Sequence, residues 1–265
     1  MELREFFHQC PQAALGFSGG VDSAYLLYAA LENGAQVRPY FVKTAFQPQF
    51  ELEDARRLCA QLGVELTVLE LDILAVPRVG ENPPDRCYFC KRALFGALRE
   101  RALADGFSVL IDGTNASDDA GDRPGMRALG ELSVRSPLRE CGITKAQVRR
   151  LSKEAGLFTW DKPAYACLAT RIPTGQAVTG ELLQRVEAAE DALFALGFRD
   201  LRVRVFHNAA RLQLPGDQLE GAVHRREEIL QALAPWFDTV LLDMKERRVL
   251  PLSNSRQGAA AKRRA

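Results

Sequence analysis

Short apolar runs alternate along this chain with longer stretches in which apolar residues recur every three or four positions. The run Ala14-Leu15-Gly16-Phe17 leads into a small-residue turn, Ser18-Gly19-Gly20-Val21-Asp22-Ser23. That turn opens into Ala24-Tyr25-Leu26-Leu27-Tyr28-Ala29-Ala30, which places Leu26, Leu27 and Ala30 on one side of a helix. Gln36 to Lys43 reads as a second strand, Phe50 to Leu62 as a helix and Val64 to Leu71 as a third strand. Pro77 to Cys87 carries Pro, Gly, Asn and Asp and predicts a loop; Lys91 to Leu103 predicts a helix, and Phe107 to Asp112 a buried strand. The polar stretch Asp118 to Arg127 predicts a mobile loop, Ser136-Pro137-Leu138 starts a short element, and Thr144 caps a helix from Lys145 to Ala155 that Gly156 stops. Strands alternating with helices predict an α/β fold, a doubly wound parallel sheet that binds ligands at the carboxyl ends of its strands. The Ser18 turn and the polar stretch Asp112-Gly113-Thr114-Asn115-Ala116-Ser117-Asp118-Asp119 are two such ends and should face one crevice.

The rhythm changes after Trp160. Asp161 to Gly175 is irregular; helix Thr179–Leu196, strands Leu201–Phe206 and Ala210–Leu214, helix Asp217–Ala234 and strand Thr239–Leu242 then predict a smaller α+β unit. The expected division is 1–170 for the first domain, 171–253 for the second and 254–265 for a disordered tail with no apolar pattern.

With 265 residues, 47% hydrophobic and 26% charged, the chain can bury a sizeable core. A net charge of +1 gives no case for a broad nucleic-acid surface, so no nucleic-acid partner is expected. No apolar run approaches the roughly 20 residues that span a bilayer, and Met1-Glu2-Leu3-Arg4-Glu5 lacks a signal-peptide layout. A cytoplasmic chain without a membrane partner is the expectation. Its six cysteines then read as thiols or metal ligands rather than disulfides.

The Ser18 turn has the chemistry of an anion site. Backbone N–H groups of a tight glycine turn and of a helix N-terminus converge there, and Gly19 and Gly20 let phosphate approach without a Cβ in the way. The turn lacks the Lys-Ser/Thr pair of a Walker A loop. Cys87-Tyr88-Phe89-Cys90 is a C-x-x-C between a loop and a helix, and Cys167 is the nearest third thiol. Cys87, Cys90 and Cys167 could hold a [4Fe–4S] cluster with one open iron, Cys87 and Cys90 could form a redox or sulfur-carrying pair, or the two could be incidental thiols; the spacing alone does not choose. Cys10, Cys59 and Cys141 fall on or beside apolar segments and read as packing residues. Arg171 would suit an anionic substrate or a lowered thiol pKa, and Arg202 and Arg204 share one face of a strand, which on its own reads as a solvated face. Lys43, Lys91, Arg139 and Lys145 are candidate phosphate contacts that read more simply as surface charges, and Glu187, Glu190 and Asp191 could offer a metal carboxylate but read more simply as a solvated helix stretch.

Two resemblances sharpen this picture. Ser18-Gly19-Gly20-Val21-Asp22-Ser23 matches the SGGxDS pattern of PP-loop ATP pyrophosphatases. That resemblance implies ATP cleaved between its α- and β-phosphates, with Ser18, Gly19, Gly20, Asp22, Ser23, Gly113 and Thr114 at the nucleotide and Asp22 helping to hold Mg²⁺. Together with Asp112-Gly113-Thr114-Asn115, Ser136-Pro137-Leu138 and Lys162-Pro163 through Cys167-Leu168-Ala169-Thr170-Arg171-Ile172-Pro173, the chain resembles the LarE family over nearly its whole length. Those are ATP-dependent sulfur transferases that help build the nickel-pincer nucleotide cofactor of lactate racemase. The resemblance implies a small nucleotide substrate, a pyridinium dicarboxylate, adenylated on a carboxylate and converted to a thiocarboxylate, in a homo-oligomeric enzyme. Cys167 would be the catalytic sulfur, either sacrificed from its own side chain or joined with Cys87 and Cys90 in an iron–sulfur cluster that delivers sulfide. Arg171, Arg202 and Arg204 would take the substrate phosphate. A tRNA thiolase, an amide-forming synthetase and a carrier that binds nucleotide or cluster without turnover are the competing expectations.

Overall fold

The computed structural model describes residues 1–118 and 124–247. Strands β1 (Gln12–Gly16), β2 (Gln36–Lys43), β3 (Thr67–Glu70) and β4 (Leu110–Asp112) form one parallel sheet in the order β3-β2-β1-β4. The chain winds outward from β1 to β3 and then returns to pair β4 on the other side of β1. The winding therefore reverses between β1 and β4, and a crevice opens beyond their carboxyl ends.

Side-chain alternation explains why both faces of this sheet are covered. Ala13, Leu15, Val37, Phe41 and Ile111 point into a core shared with helices α1 (Leu3–Gln9), α2 (Val21–Glu32) and α3 (Gln49–Gln61). Ala14, Tyr40 and Leu110, one residue out of step, pack instead against Leu98 and Ala102 of α4 (Arg86–Ala104). Helices α5 (Pro124–Glu131), α6 (Pro137–Glu140) and α7 (Lys145–Glu154) follow, with Thr144 and Gln147 forming a capping box at the start of α7.

Beyond α7 the chain makes two 3₁₀ turns, Phe158–Asp161 and Leu168–Arg171, then α8 (Gly180–Ala195), β5 (Arg202–Phe206), β6 (Ala209–Gln213), α9 (Gly216–His224), α10 (Arg226–Leu233) and β7 (Val240–Leu242). The second sheet runs β5-β6-β7, antiparallel and then parallel. Its core takes in Phe46, Ile73 and Val79 from the first half of the chain and Leu168, Ala169 and Ile172 from the segment around Cys167. The Cys167 segment is therefore packed into the second core beside Phe46 from the loop after β2.

Four sequence expectations change. The C-x-x-C lies inside α4, which begins at Arg86 rather than Lys91, because Cys90 joins Phe89 and Ala93 against the second core. Part of the expected loop, Pro124–Glu131, is helical and buries Ala128 and Leu129; residues 119–123 and the tail 254–265 lie outside the described residues. The single helix Asp217–Ala234 is two, broken at Arg225, whose Nη1 donates to the Leu196 carbonyl at 2.7 Å. The N-terminal helix α1 has no counterpart in the sequence reading; Leu3, Phe6 and Phe7 give it an apolar face.

Gly113 decides how closely β1 and β4 can deliver their loops. A Cβ built there would stand 2.8 Å from the Ser23 backbone nitrogen and 3.1 Å from its Cα, in the first turn of α2. Backbone cannot yield as a flexible side chain does. Gly113→Ala should lower unfolding stability by about 1–3 kcal/mol in urea titration, and an unchanged midpoint would mean that the two loops are not locked together.

Candidate active site

At the end of β1 the chain must reverse into α2 within four residues, and Gly19 does so at φ +68°, where a side chain would be strained. A Cβ at Gly19 would also meet the Glu51 carbonyl oxygen of α3 at 3.0 Å. Inside the turn the Ser23 hydroxyl donates to the Gly20 carbonyl at 3.2 Å, and the Ser18 amide donates to Ser23 Oγ at 3.3 Å. The Ser18 and Ser23 hydroxyls stand 3.2 Å apart and the Gly20 amide reaches Ser18 Oγ at 3.4 Å, so both hydroxyls are fixed at the mouth of α2.

The facing loop is equally ordered. Asp112 accepts from the Thr114 hydroxyl at 2.5 Å, the Thr114 amide at 3.2 Å and the Ser136 hydroxyl at 2.6 Å. Asn115 Nδ2 donates to Asp22 Oδ1 at 3.2 Å, and Lys145 from the start of α7 forms an ion pair with the same carboxylate. Burial raises the Asp22 carboxyl pKa, Lys145 opposes that rise, and the nearby Asp118 carboxylate adds to it. Between the loops lies a cleft of about 290 Å³ lined by Ser18, Asp22, Ser23, Gly113, Thr114 and Asp118 at its polar end and by Val42, Leu94 and Phe95 at its apolar end. Lys91 also lines it; Gln47 contributes from the loop after β2. Such an arrangement, amide donors at a helix N-terminus beside an apolar slot, can take a nucleotide.

The sulfur-bearing residues adjoin this cleft through two connections. Helix α4 carries Cys87 and Cys90 in its first turns and Lys91, Leu94 and Phe95, which line the cleft, immediately after. Cys90 and Leu94 are one helical turn apart, a rise of about 6 Å. The other connection is Lys162, whose Nζ donates to the Gly19 carbonyl at 3.3 Å and pairs with Asp54 at 2.6 Å, five residues before Cys167. The Leu168 amide then donates to the Phe46 carbonyl at 2.9 Å and seats the segment on the loop after β2. Cys87 is exposed, and Cys90 and Cys167 are half-buried. Burial pushes the Cys90 thiol up to about 12, with Cys167 and Cys87 adding to the rise, and burial likewise raises Cys167. The three thiols thus lie within electrostatic reach of one another. Among the described residues, however, no group of three or more His, Cys, Asp or Glu side chains is arranged to hold a metal ion, so the thiols do not form a ready cluster site.

The three arginines are buried or half-buried, not on a solvated face. Arg171 donates from Nε and Nη2 to Glu190 at 2.8 and 3.0 Å, and from Nη1 to the carbonyls of Ala166 at 2.6 Å and Cys167 at 3.3 Å. Arg202 donates to the Ala164 carbonyl at 2.6 Å, and Arg204 to the Thr170 carbonyl and to Gln213 at 2.5 Å. Together they bind the carbonyl side of residues 164–170. Glu190 is 1% exposed, not solvated, and also accepts from the Val203 amide at 2.9 Å and the Tyr165 hydroxyl. Lys145 is no plain surface charge, given its bond to Asp22, and Lys91 lines the cleft; Lys43 bonds the Gln47 carbonyl at 2.6 Å and Arg139 that of Asp118. Of the packing cysteines, Cys10 and Cys59 are buried in the first core and Cys141 packs at its margin.

Sequence reasoning gave no role to Lys162, Arg86 or Glu51. Lys162 had a signal, its place before Pro163 in the motif that runs through Cys167 to Pro173; Arg86 and Glu51 had none. Glu51 sits on α3 against the Gly19 turn, and its carboxyl is raised to about 7 by burial, with Lys162, Arg171 and Lys43 opposing the rise and Asp54 adding to it.

Comparison with known proteins fits this geometry. Residues 12–79, which hold the Gly19 turn, match the family model for queuosine biosynthesis protein QueC. The chain is 42% identical over 82% of its length to an uncharacterized protein of Synechocystis, covering 82% of that relative. It is 32% identical over 77% of its length to the pyridinium-3,5-bisthiocarboxylic acid mononucleotide synthase of Lactiplantibacillus plantarum, covering 75% of it. Similarity to the tRNA-specific 2-thiouridylase MnmA of Thermotoga maritima is lower, 26% over 57% of the chain and 54% of that protein.

Glu51 generates a test. Its carboxyl titrates near 7 when folded against an ordinary value of 4.5, so the folded chain holds the extra proton between those values and loses stability as pH rises from about 4.5 to 7. Glu51→Gln should flatten that slope and stabilise the chain at pH 8 by on the order of 1–3 kcal/mol. Parallel stability–pH curves for the two proteins would refute the assignment.

Proposed function

The chain belongs to the LarE family within the PP-loop superfamily, and on that premise we propose that it is an ATP-dependent sulfur transferase converting a carboxylate of pyridinium-3,5-biscarboxylic acid mononucleotide to a thiocarboxylate. The observation that carries this reading is the double connection between cleft and thiols: α4 bears Cys87 and Cys90 beside the cleft-lining Lys91, Leu94 and Phe95, and Lys162 ties the Cys167 segment to the Gly19 carbonyl.

A carboxylate is a poor electrophile because its charge is delocalised over two oxygens. Bound ATP answers this. The phosphates would lie on Ser18, Gly19, Gly20, Ser23, Gly113 and Thr114, with the base in the slot formed by Val42, Leu94 and Phe95. A carboxylate oxygen attacks the α-phosphorus, the bond to the β-phosphate breaks, and pyrophosphate leaves an acyl adenylate. The Cys167 sulfur, its proton passed to solvent, attacks the carbonyl carbon; AMP departs with the bonding electrons and a thioester remains. Loss of the Cys167 Cα proton and cleavage of its Cβ–S bond then release the thiocarboxylate and leave dehydroalanine. Asp22, with Asp118 close by, has the hard oxygen donors that suit Mg²⁺, which would neutralise the departing pyrophosphate.

Cys87 and Cys90 offer a second sulfur source, a cluster completed by Cys167. The described residues form no three-ligand metal group, and the reaction above does not require one. Arg202 and Arg204 are assigned the substrate phosphate, with Arg171 behind them. That phosphate competes with the carbonyls of Ala164 and Thr170 for the same guanidiniums, so substrate binding would loosen the Cys167 segment when it must move. The tRNA thiolase alternative lacks support in the balanced charge of +1.

After one turnover with ATP and the biscarboxylate nucleotide, intact-protein mass spectrometry should find a loss of about 34 Da, the elements of H₂S. Cys167→Ala should still release pyrophosphate and AMP adduct but form no thiocarboxylate. Full sulfur transfer by that variant would remove Cys167 from the chemistry; thiocarboxylate formed at unchanged protein mass would transfer the sulfur's origin to another donor.

A further inference from the structure

The first turn of α4 buries a cation that no carboxylate among the described residues balances. Arg86 is 7% exposed, and among the described residues no carboxylate pairs with it. Its guanidinium lies 5.4 Å from the centre of the Phe46 ring, which covers one face. Among the described residues Nη2 has only Cys87 Sγ, at the outer limit of 4.0 Å, and Nη1 has no hydrogen-bond partner. Leaving a buried charge uncompensated costs several kcal/mol in round terms, and a buried polar group without a partner calls for an explanation. A protein keeps such a group where a ligand completes it.

Arg86 Nη2 reaches Cys87 Sγ at 4.0 Å, and Cys90, further along the same helix, packs with Cys167 against the second core, so the guanidinium lies at the thiol end of the site. Neutral thiols are weak acceptors and cannot satisfy it. The unfilled Nη1 and the barely engaged Nη2 make a planar two-donor edge, the geometry that a carboxylate meets with its two oxygens. A substrate with two ring carboxylates brings two candidates. The one that is adenylated gives up its charge, whereas the other keeps it throughout.

We propose that Arg86 receives the spectator carboxylate of the substrate, the ring carboxylate that is not being activated, and so orients the other toward the Ser18 cradle and Cys167. This rests on the substrate assignment above and adds a specificity determinant to it: Arg86 distinguishes a dicarboxylate ring from a monocarboxylate one. A guanidinium that is neutralised only when the correct substrate arrives discriminates strongly, because the wrong one leaves it buried and unpaired.

Calorimetric titration of the full chain with pyridinium-3,5-biscarboxylic acid mononucleotide, with nicotinic acid mononucleotide and with hydrosulfide tests this in wild type, Arg86→Lys and Arg86→Met. Wild type should bind the dicarboxylate at least tenfold more tightly than the monocarboxylate. Arg86→Met should lose that preference while its thermal midpoint does not fall, since an unpaired charge has been removed; Arg86→Lys should keep part of the preference. A preference undiminished in both variants would overturn the subsite and leave the substrate assignment standing. Hydrosulfide binding that disappears in Arg86→Met would overturn it in favour of a sulfur-donor site. Wild type that binds neither nucleotide would refute the substrate assignment and the subsite together.

Discussion

Two loops of backbone meet at the switch point of the first sheet with no room for a methyl group between them. Gly113 lies so close to Ser23 that a Cβ would approach its nitrogen to 2.8 Å, and Gly19 lies so close to α3 that a Cβ would approach the Glu51 carbonyl to 3.0 Å. This close packing aligns the amides at the mouth of α2 with the Asp112 loop. The cleft, its fixed hydroxyls and the half-buried Asp22 carboxylate all follow from that approach. Relaxing it by one carbon atom would separate the donors that converge on a phosphate, whatever else the chain preserved.

The proposed function adds a second requirement, that a sulfur atom be held near this cradle without being fixed there. Residues 162–171 meet it. At one end Lys162 bonds the Gly19 carbonyl; at the other, three arginines hold carbonyl oxygens of residues 164–170, and the Arg171–Glu190 pair anchors them within the second core. The pair is deeply buried and every nitrogen of Arg171 is satisfied, so its desolvation is offset by a full set of partners. Bonds to backbone carbonyls, unlike side-chain packing, can be exchanged for bonds to a phosphate at little net cost. On the proposed function, a segment held in this way is ordered at rest and would be released by its own substrate.

Much of the first sheet was legible because its signals are local. Gln36–Lys43 is as long as its apolar run, Thr144 caps α7 as its position implies, and the Ser18 turn lies between strand and helix as glycine chemistry requires. The parallel direction of its strands followed from strand–helix alternation. Less legible was whatever depends on tertiary contact. The early start of α4 comes from Cys90 burying itself in a core built by later residues, and the break at Arg225 from a carbonyl 29 positions away. Alternation put Arg202 and Arg204 on one face, yet could not tell that the face is inward. Arg86 and Glu51 carry no motif; only burial without a partner, or burial beside cations, distinguishes them from surface charges.

In the proposed reaction the cradle activates a carboxylate oxygen and the tethered sulfur displaces the adenylate. Oxygen bookkeeping tests this most directly. With substrate carboxylates labelled with ¹⁸O, attack on the α-phosphorus carries one labelled oxygen into AMP, which should appear heavier by about 2 Da in step with thiocarboxylate formation. AMP released without label while thiocarboxylate accumulates would contradict carboxylate adenylation, and with it the account of what the Ser18 cradle does.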